Sequence, residues 1–315
     1  MNSTLLADKS EASLKRFLST LSPVDQVGAT SRVEALATRS IKTSSKNWAI
    51  DLAIRMVDLT TLEGADTPEK VRALCAKGVY PDPTDLTVPS VGAICVYNDM
   101  VKIARTALDA GGGKDIPVAA VATAFPSGRA SIEVKIQDTK DAIANGASEI
   151  DMVIDRGAFL SGKLGLVFEQ IEIIKGLCGD NAHLKVILET GELVTLDNVR
   201  RASYLAMLAG ADFIKTSTGK VAPAATAPVV YVMLEAVRDF YKMTGTKIGV
   251  KPAGGIRTTK DAIKQLVLVN EVAGPEWLDP SLFRIGASAL LNDLLMQRMK
   301  MRDGHYASPN YVTLD

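Results

Sequence analysis

Residues 118–154 of this 315-residue chain read VAAVATAFPSGRASIEVKIQDTKDAIANGASEIDMVI, in which two short apolar β-prone runs flank a longer amphipathic stretch. Such alternation is expected when parallel strands are buried on both faces between crossover helices. The same pattern extends in both directions and predicts eight strands, whose starts lie 25 to 40 residues apart. These are Ala53–Val57, Ala93–Val96, Val118–Ala122, Glu149–Ile154, Leu184–Leu188, Phe213–Ile214, Ile248–Val250 and Phe283–Ile285.

Eight consecutive strand–helix units over about 240 residues predict a TIM (β/α)8 barrel, because a doubly wound sheet usually stops at about five to seven strands. We expect residues 51–300 to form this barrel, with a helical N-terminal extension over residues 1–50 and a C-terminal tail over residues 301–315. Pro68 in the first turn of a predicted helix and the periodic stretch Asp197–Leu208 are typical of the crossover helices.

The N-terminal extension is amphipathic, with Leu14, Phe17 and Leu18 at helical spacing. Ser22-Pro23 is expected to begin its next helix. A partly disordered tail is the alternative interpretation of this segment.

Charge and cysteine content exclude several classes of protein. The 36 basic residues balance the 36 acidic ones, so no net field favours nucleic acid or an anionic membrane. Three cysteines without C-x-x-C spacing predict reduced thiols, and two histidines disfavour an all-protein zinc site. No segment has the apolar length of a signal peptide core or a membrane span. We expect a cytoplasmic protein without a metal or other cofactor.

Charged residues inside apolar strands are informative because burying an unpaired charge is costly. Asp151, Lys215 and Lys251 lie in or directly after three of the predicted strands. In a barrel, the carboxyl ends of the strands form the active face. Each residue could instead be one member of a buried ion pair that fills the barrel mouth, but three converging on one face favour a catalytic site.

These residue types together suggest amine catalysis. A lysine with an ordinary pKa of about 10.4 is almost entirely charged at pH 7, whereas the uncharged amine is the nucleophile. Neighbouring strands would bring Lys215 and Lys251 within about 5 Å, where repulsion disfavours charging both. Asp151 could then move protons between water and an imine. The protonated imine itself accepts electrons, so this chemistry requires no metal.

Three glycine-bearing segments suggest a phosphate site: Thr218-Gly219-Lys220, Gly254-Gly255 and Gly286-Ala287-Ser288. Backbone amides bind anions in such loops, and the last loops of a TIM barrel are the usual phosphate position. The alternative is that the glycines only form turns and that Lys220 is a solvated surface charge.

Three segments resemble the deoxyribose-phosphate aldolase family: DFIKTSTGK at 212–220, GVKPAGGIR at 249–257 and VDLTTL at 57–62. The resemblance continues through shorter segments and covers roughly residues 50–295. It implies reversible, metal-independent cleavage of 2-deoxy-D-ribose 5-phosphate to D-glyceraldehyde 3-phosphate and acetaldehyde through a Schiff base.

The resemblance also implies roles for individual residues. Lys215 would form the imine, Lys251 would keep its amine uncharged, and Asp151 would relay protons. Asp58, Thr60, Cys95 and Thr218 would bind substrate, whereas Gly219, Lys220, Gly254, Gly255, Gly286 and Ser288 would bind its phosphate. The chain departs from some members at Ala289, where they carry a second serine. A tail tyrosine protonates the enamine in some members, and of Tyr306 and Tyr311 we favour Tyr311.

Two other functions fit parts of this pattern. One is a related Schiff-base barrel acting on another aldehyde or ketose phosphate, and the other is an inactive barrel that binds a sugar phosphate as a regulator. The intact set of Lys215, Lys251 and Asp151 argues against the second, and a resemblance spanning all eight strands argues against the first. We further expect a homo-oligomer that binds neither nucleic acid nor membranes.

Overall fold

The computed structural model describes residues 5, 6, 8–305, 308 and 312. Eight parallel strands lie in the order β7-β6-β5-β4-β3-β2-β1-β8, and isolated bridges from Val250 to Phe283 and from Ala253 to Gly286 close the sheet between β7 and β8. The predicted TIM barrel is confirmed. Its strands are β1 (Val57–Thr60), β2 (Ala93–Tyr97), β3 (Val118–Ala122), β4 (Glu149–Val153), β5 (His183–Ile187), β6 (Phe213–Lys215), β7 (Gly249–Lys251) and β8 (Ile285–Ala287).

Helices surround the strands and bury their apolar faces against them. Three precede β1: α1 (Glu11–Thr20), α2 (Gln26–Ala37) and α3 (Thr43–Met56). The others follow within the barrel: α4 (Pro68–Val79), α5 (Val101–Ala110), α6 (Ile132–Ala144), α7 (Arg156–Leu160), α8 (Leu164–Cys178), α9 (Leu196–Leu208), α10 (Ala227–Thr244), α11 (Thr259–Val272) and α12 (Leu290–Asp303).

The first three helices pack on the outside of the barrel. Helix α1 contacts α8 and α9, α2 contacts α10 and α11, and α3 contacts α11 and α12. Leu14 and Leu18 are buried in this layer. Helix α2 begins at Gln26, later than the predicted start at Ser22-Pro23, because Asp25 caps it by accepting a hydrogen bond from the Gly28 amide. The expected boundary at residue 50 falls inside α3.

The first predicted strand, Ala53–Val57, was misplaced. Residues 53–56 are the last turn of α3, and β1 begins at Val57. Ala53 and Ile54 are fully buried, and a short apolar run looks alike in a buried helix and in a buried strand. The last strand is likewise shifted, from the predicted Phe283–Ile285 to Ile285–Ala287.

An aromatic ring fills the barrel interior at its amino-terminal end. The Phe213 ring packs against Gly249 so closely that a β-carbon at residue 249 would lie 2.3 Å from Phe213 Cε1. A cavity of about 800 Å³ borders this ring between the strand starts and the helical layer, and its lining includes His183 and Ile248 together with Phe168 and Met207. Across the described part of the chain, no helix combines the length and apolar character needed to span a membrane.

Candidate active site

Side chains from three strands meet inside the carboxyl-terminal end of the barrel. Lys215 of β6 and Lys251 of β7 are register partners, so their side chains leave the sheet side by side. Each Nζ donates a 2.8 Å hydrogen bond to the same atom, Oδ2 of Asp151 on β4. Lys215 is 2% exposed, and the other two residues are fully buried. The structure thus brings together the three residues that were predicted to be catalytic.

A second group of charged side chains lies beneath these three residues. Asp58 Oδ2 is 2.5 Å from Lys251 Nζ, and Asp58 Oδ1 accepts a 2.7 Å hydrogen bond from Arg284 Nη1. Arg284 Nη2 donates to Glu149 at 3.1 Å, and Glu149 also accepts a hydrogen bond from Lys185. Sequence reasoning missed Glu149, Lys185 and Arg284. All three are charged residues within or beside apolar β-prone runs. The same pattern identified Asp151, Lys215 and Lys251, so it could have identified these three residues as well.

The network fixes the charges of its central members. Burial alone lowers the pKa of Lys251, but the Asp151 and Asp58 carboxylates raise that pKa well above its usual value. Burial alone raises the pKa of each carboxyl, but the surrounding lysines, together with Arg284 beside Asp58, hold both pKa values below their ordinary range. At neutral pH Lys251 is therefore a cation between two anions.

A cavity of about 460 Å³ opens above Lys215 at the carboxyl end of the strands. Thr60 and Thr218 line it, as predicted for residues that contact substrate. All six predicted phosphate-binding residues also line it: Gly219, Lys220, Gly254, Gly255, Gly286 and Ser288. One continuous space therefore connects the Lys215 nitrogen with the three glycine loops.

Two features of this lining suit an anion. Gly254 and Gly255 both have left-handed backbones, with φ of 83° and 86°, and without side chains they allow a ligand to approach their backbone amides closely. Helix α12 begins beside them after Ala289, which provides no side-chain cap, so the first amides of that helix keep their hydrogen-bonding capacity. The missing second serine therefore leaves backbone donors in place.

Charged residues around the cavity mouth extend the predicted set. Lys220 Nζ is 2.9 Å from Glu63 Oε1, and Lys70 pairs with Asp66 at 2.8 Å. Arg257 also lines the cavity. Arg257 ends the segment at 249–257, where nothing in the residue spacing distinguishes it from a surface charge.

Glu189 is a further buried residue at the end of β5 that was not predicted as a site residue. Its backbone is left-handed with φ of 51°, which is uncommon outside glycine, and Thr218 Oγ1 donates a 2.5 Å hydrogen bond to its carboxylate. Burial raises the pKa of Glu189. The contact fixes the Thr218 side chain at the cavity wall.

Asp58 and Cys95 lie beneath the cavity and do not line it. Both are fully buried, and burial raises the pKa of the Cys95 thiol. Cys95 belongs to a small apolar cluster with Leu62 and Val121, against which Tyr97 packs. This cluster forms an apolar wall on the β2–β3 side of the barrel mouth.

The tail residues Tyr306 and Tyr311 lie outside the described part of the chain. Within that part, no group of three or more histidine, cysteine, aspartate or glutamate side chains is arranged to hold a metal ion.

Comparisons with known proteins cover most of the chain. A family model described as DeoC/LacD family aldolase matches residues 52–295. Deoxyribose-phosphate aldolase from Homo sapiens is 46% identical over 88% of this chain and 89% of that protein, and the one from Bos taurus is 47% identical over 81% and 82%. A solved tetrameric deoxyribose phosphate aldolase from Aeropyrum pernix is 25% identical, with a TM-score of 0.60 over 82% of this chain and 99% of that one.

Proposed function

This chain belongs to the DeoC/LacD family of aldolases, and on that premise we propose that it reversibly cleaves 2-deoxy-D-ribose 5-phosphate to D-glyceraldehyde 3-phosphate and acetaldehyde. One observation carries the proposal: Lys215 Nζ lies on the floor of a cavity with phosphate-binding loops and shares the Asp151 oxygen with a second lysine. The deoxyribose-phosphate aldolases to which the chain is similar support this choice of substrate.

The Lys215 amine attacks the aldehyde carbon of the substrate, and loss of water from the carbinolamine gives an imine. The protonated imine takes up the electron pair of the breaking carbon–carbon bond and becomes an enamine, while the adjacent substrate hydroxyl loses its proton and D-glyceraldehyde 3-phosphate leaves. Protonation of the enamine carbon and hydrolysis of the resulting imine then release acetaldehyde and regenerate the Lys215 amine. Lys251 remains charged between Asp151 and Asp58, so it opposes protonation of the neighbouring Lys215 amine.

Asp151 moves the protons that these steps require. Its Oδ2 contacts both lysines, whereas its Oδ1 accepts no hydrogen bond within the described structure and lies 3.6 Å from Lys185 Nζ. Because Oδ2 contacts the nucleophilic nitrogen directly, the carboxylate can accept and return the protons of carbinolamine and imine formation. Asp58 supports the substrate site indirectly by holding Lys251.

The substrate phosphate binds at the far side of the cavity. Backbone amides of the Gly254-Gly255 turn and of the α12 start supply donors there, and Lys220 supplies a charge. Thr60 and Thr218, which line the same cavity, contact the sugar hydroxyls in this proposal.

Reductive trapping tests the proposal. The protein is incubated with acetaldehyde or deoxyribose 5-phosphate, reduced with borohydride and digested, and the modified peptide is located by mass spectrometry. We expect the label on Lys215 and none on Lys251 or Lys185, and no label in a Lys215→Arg variant. An unlabelled Lys215 in the active wild-type protein would overturn the mechanism.

We also propose Tyr311 as the residue that protonates the enamine carbon. Tyr311→Phe is expected to slow turnover without slowing imine trapping, because imine formation precedes that protonation. Tyr306→Phe serves as the matched control and should leave both rates unchanged. The reverse result would assign the role to Tyr306.

The protein is further proposed to be a cytoplasmic homo-oligomer. The three cysteines are free and buried, as suits a reducing compartment, and the Aeropyrum pernix relative is described as tetrameric. Light scattering coupled to size exclusion would measure the mass of the assembly in solution, and a monomer at micromolar concentration would refute the oligomer.

A further inference from the structure

The buried charges around Lys215 form one connected network that extends down the barrel interior. Arg284 bridges Asp58 and Glu149, with contacts of 2.7 and 3.1 Å. Glu149 in turn pairs with Lys185, whose Nζ lies 3.6 Å from Asp151 Oδ1. The network has four basic members, Lys185, Lys215, Lys251 and Arg284, and three acidic ones, Asp58, Glu149 and Asp151.

The count leaves one positive charge in excess when every member is ionised. An uncompensated charge is costly where water is excluded, and the cost disappears when one lysine gives up its proton. Arginine stays protonated, and Lys251 is held charged by two carboxylates. Lys185 is fully buried against Glu149. Lys215 has one carboxylate partner and borders the open cavity, so its ammonium is the least compensated of the lysines in the network.

The other elements around Lys215 do not alter this balance inside the barrel. Strand β2 contributes the Cys95 thiol, which burial keeps neutral, and β3 contributes the uncharged Ala119 and Val121. The Glu189 carboxylate after β5 accepts a hydrogen bond from Thr218, and the charged groups that act on it are Arg156 and Glu192, which are not members of the network. The charged side chains that line the cavity with Lys215 are at its mouth: Glu63, Lys70, Lys220 and Arg257.

We propose that Glu149 and Arg284 are positioning residues that set, through their charges, how readily Lys215 becomes the free amine. The inference rests on the proposed imine chemistry and extends it to two side chains that do not line the substrate cavity. Glu149 favours the protonated lysine and Arg284 favours the neutral one, so removing them has opposite effects. A role limited to holding the strands together would give no such opposition.

The experiment measures the rate of acetaldehyde trapping on Lys215 with cyanoborohydride as a function of pH. Acetaldehyde has no ionisable group, so the acid limb of the profile reports on the protein. We expect Glu149→Gln to move that limb to lower pH and Arg284→Met to move it to higher pH. A charge about 10 Å away at an effective dielectric near 20 corresponds to a shift of about one pH unit. The double variant should return close to the wild-type profile.

Two further variants serve as controls. Arg284→Lys keeps the positive charge and should restore the wild-type limb. Lys135→Met removes a buried cation from α6, where Lys135 Nζ donates to Gln170 at 2.8 Å in the helical layer, and should leave the limb unchanged.

The outcomes separate this inference from the proposed function. No trapping on wild-type Lys215 would refute the aldolase mechanism. Normal wild-type trapping with both limbs unmoved, or moved in the same direction, would refute the charge-setting role. If Arg284→Met fails to fold, the sign of the Glu149→Gln shift decides, because glutamine has nearly the same shape as glutamate.

Discussion

The Lys220 ammonium and the Glu63 carboxylate form a 2.9 Å ion pair that links the loop after β6 to the loop after β1 at the cavity mouth. The side chains are 30% and 66% exposed, and such exposed pairs contribute about 0.2–1 kcal/mol. Under the proposed function, a substrate phosphate would compete with Glu63 for the same cation. The predicted phosphate-binding lysine is thus occupied by an internal anion that a dianionic ligand can displace.

Glu63→Gln should therefore lower the KM for deoxyribose 5-phosphate by up to about fivefold, the equivalent of about 1 kcal/mol, and leave kcat unchanged. Steady-state kinetics with phosphorylated and unphosphorylated deoxyribose would check this. Glu69→Gln, which removes an exposed carboxylate paired with Arg72, is the matched control. An equal change for both sugars would contradict competition with phosphate.

Lys251→Leu should reduce turnover at pH 7 by at least about 100-fold. The change removes the cation beside Lys215 and leaves Asp151 to stabilise the protonated form of that lysine. Activity should recover partly as pH rises, because hydroxide removes the proton that Lys251 no longer repels. Turnover from pH 6 to 10 and the circular dichroism of the variant would be measured. Near-wild-type activity at pH 7 would refute the role of Lys251.

Gly254 and Gly255, the two glycines of the predicted phosphate-binding turn, should differ in their response to substitution by alanine. Gly254→Ala and Gly255→Ala both place a side chain on a left-handed backbone, at a cost of about 1–2 kcal/mol each. A β-carbon added at residue 254 would also lie 2.7 Å from the Ala224 β-carbon, whereas a β-carbon added at residue 255 would have no neighbouring atom within 4 Å. We expect Gly254→Ala to raise the KM for the phosphorylated sugar more than Gly255→Ala does. Equal effects would show that the contact with Ala224 is unimportant.

Stability should fall in acid because the network carboxyls have low pKa values in the folded state. Although burial alone raises the pKa of Asp58, Lys251 and Arg284 hold it below the ordinary value of 3.8. The unfolded chain therefore takes up the proton first as pH drops, so the stabilisation present above about pH 4 is lost progressively below it.

Asp58→Asn should flatten this acid dependence. The variant should be less stable at pH 7 by about 3–5 kcal/mol, since it leaves buried cations unpaired. Below pH 4, the free energy of unfolding of the variant should also fall less steeply with decreasing pH, by up to about 1.4 kcal/mol per pH unit. Urea unfolding from pH 3 to 7 measures both quantities, and Asp180→Asn at an exposed position is the control. An unchanged slope would mean that Asp58 does not contribute to acid unfolding.

The sequence identified the barrel and the lysine pair for the same reason. Apolar strands buried on both faces stand out from amphipathic helices, and a charge within such a strand stands out from its neighbours. The prediction of a strand at Ala53–Val57 was wrong because a fully buried helix turn has no polar face from which its helical period could be recognised. Arg284 and Lys185 carry the same signal, since each is a charged residue within a predicted apolar strand.

Other parts of the site depend on distances that no local pattern records. Glu63 and Lys220 are more than 150 residues apart in the chain and meet because β1 and β6 both end at the same face of the barrel. The Glu189 carboxylate likewise accepts hydrogen bonds from the amide and the hydroxyl of Thr218, which follows the neighbouring strand β6. Such contacts are determined by the closed barrel, and the local sequence does not indicate them.

The close packing of the Phe213 ring on Gly249 closes the barrel interior at the end opposite the substrate cavity. The ring lies next to the charged network, with Lys185 Nζ 5.7 Å from its centroid, and its other side borders the cavity at the strand starts. A β-carbon at residue 249 would overlap the ring. This closure therefore depends on the absence of a side chain two residues before Lys251.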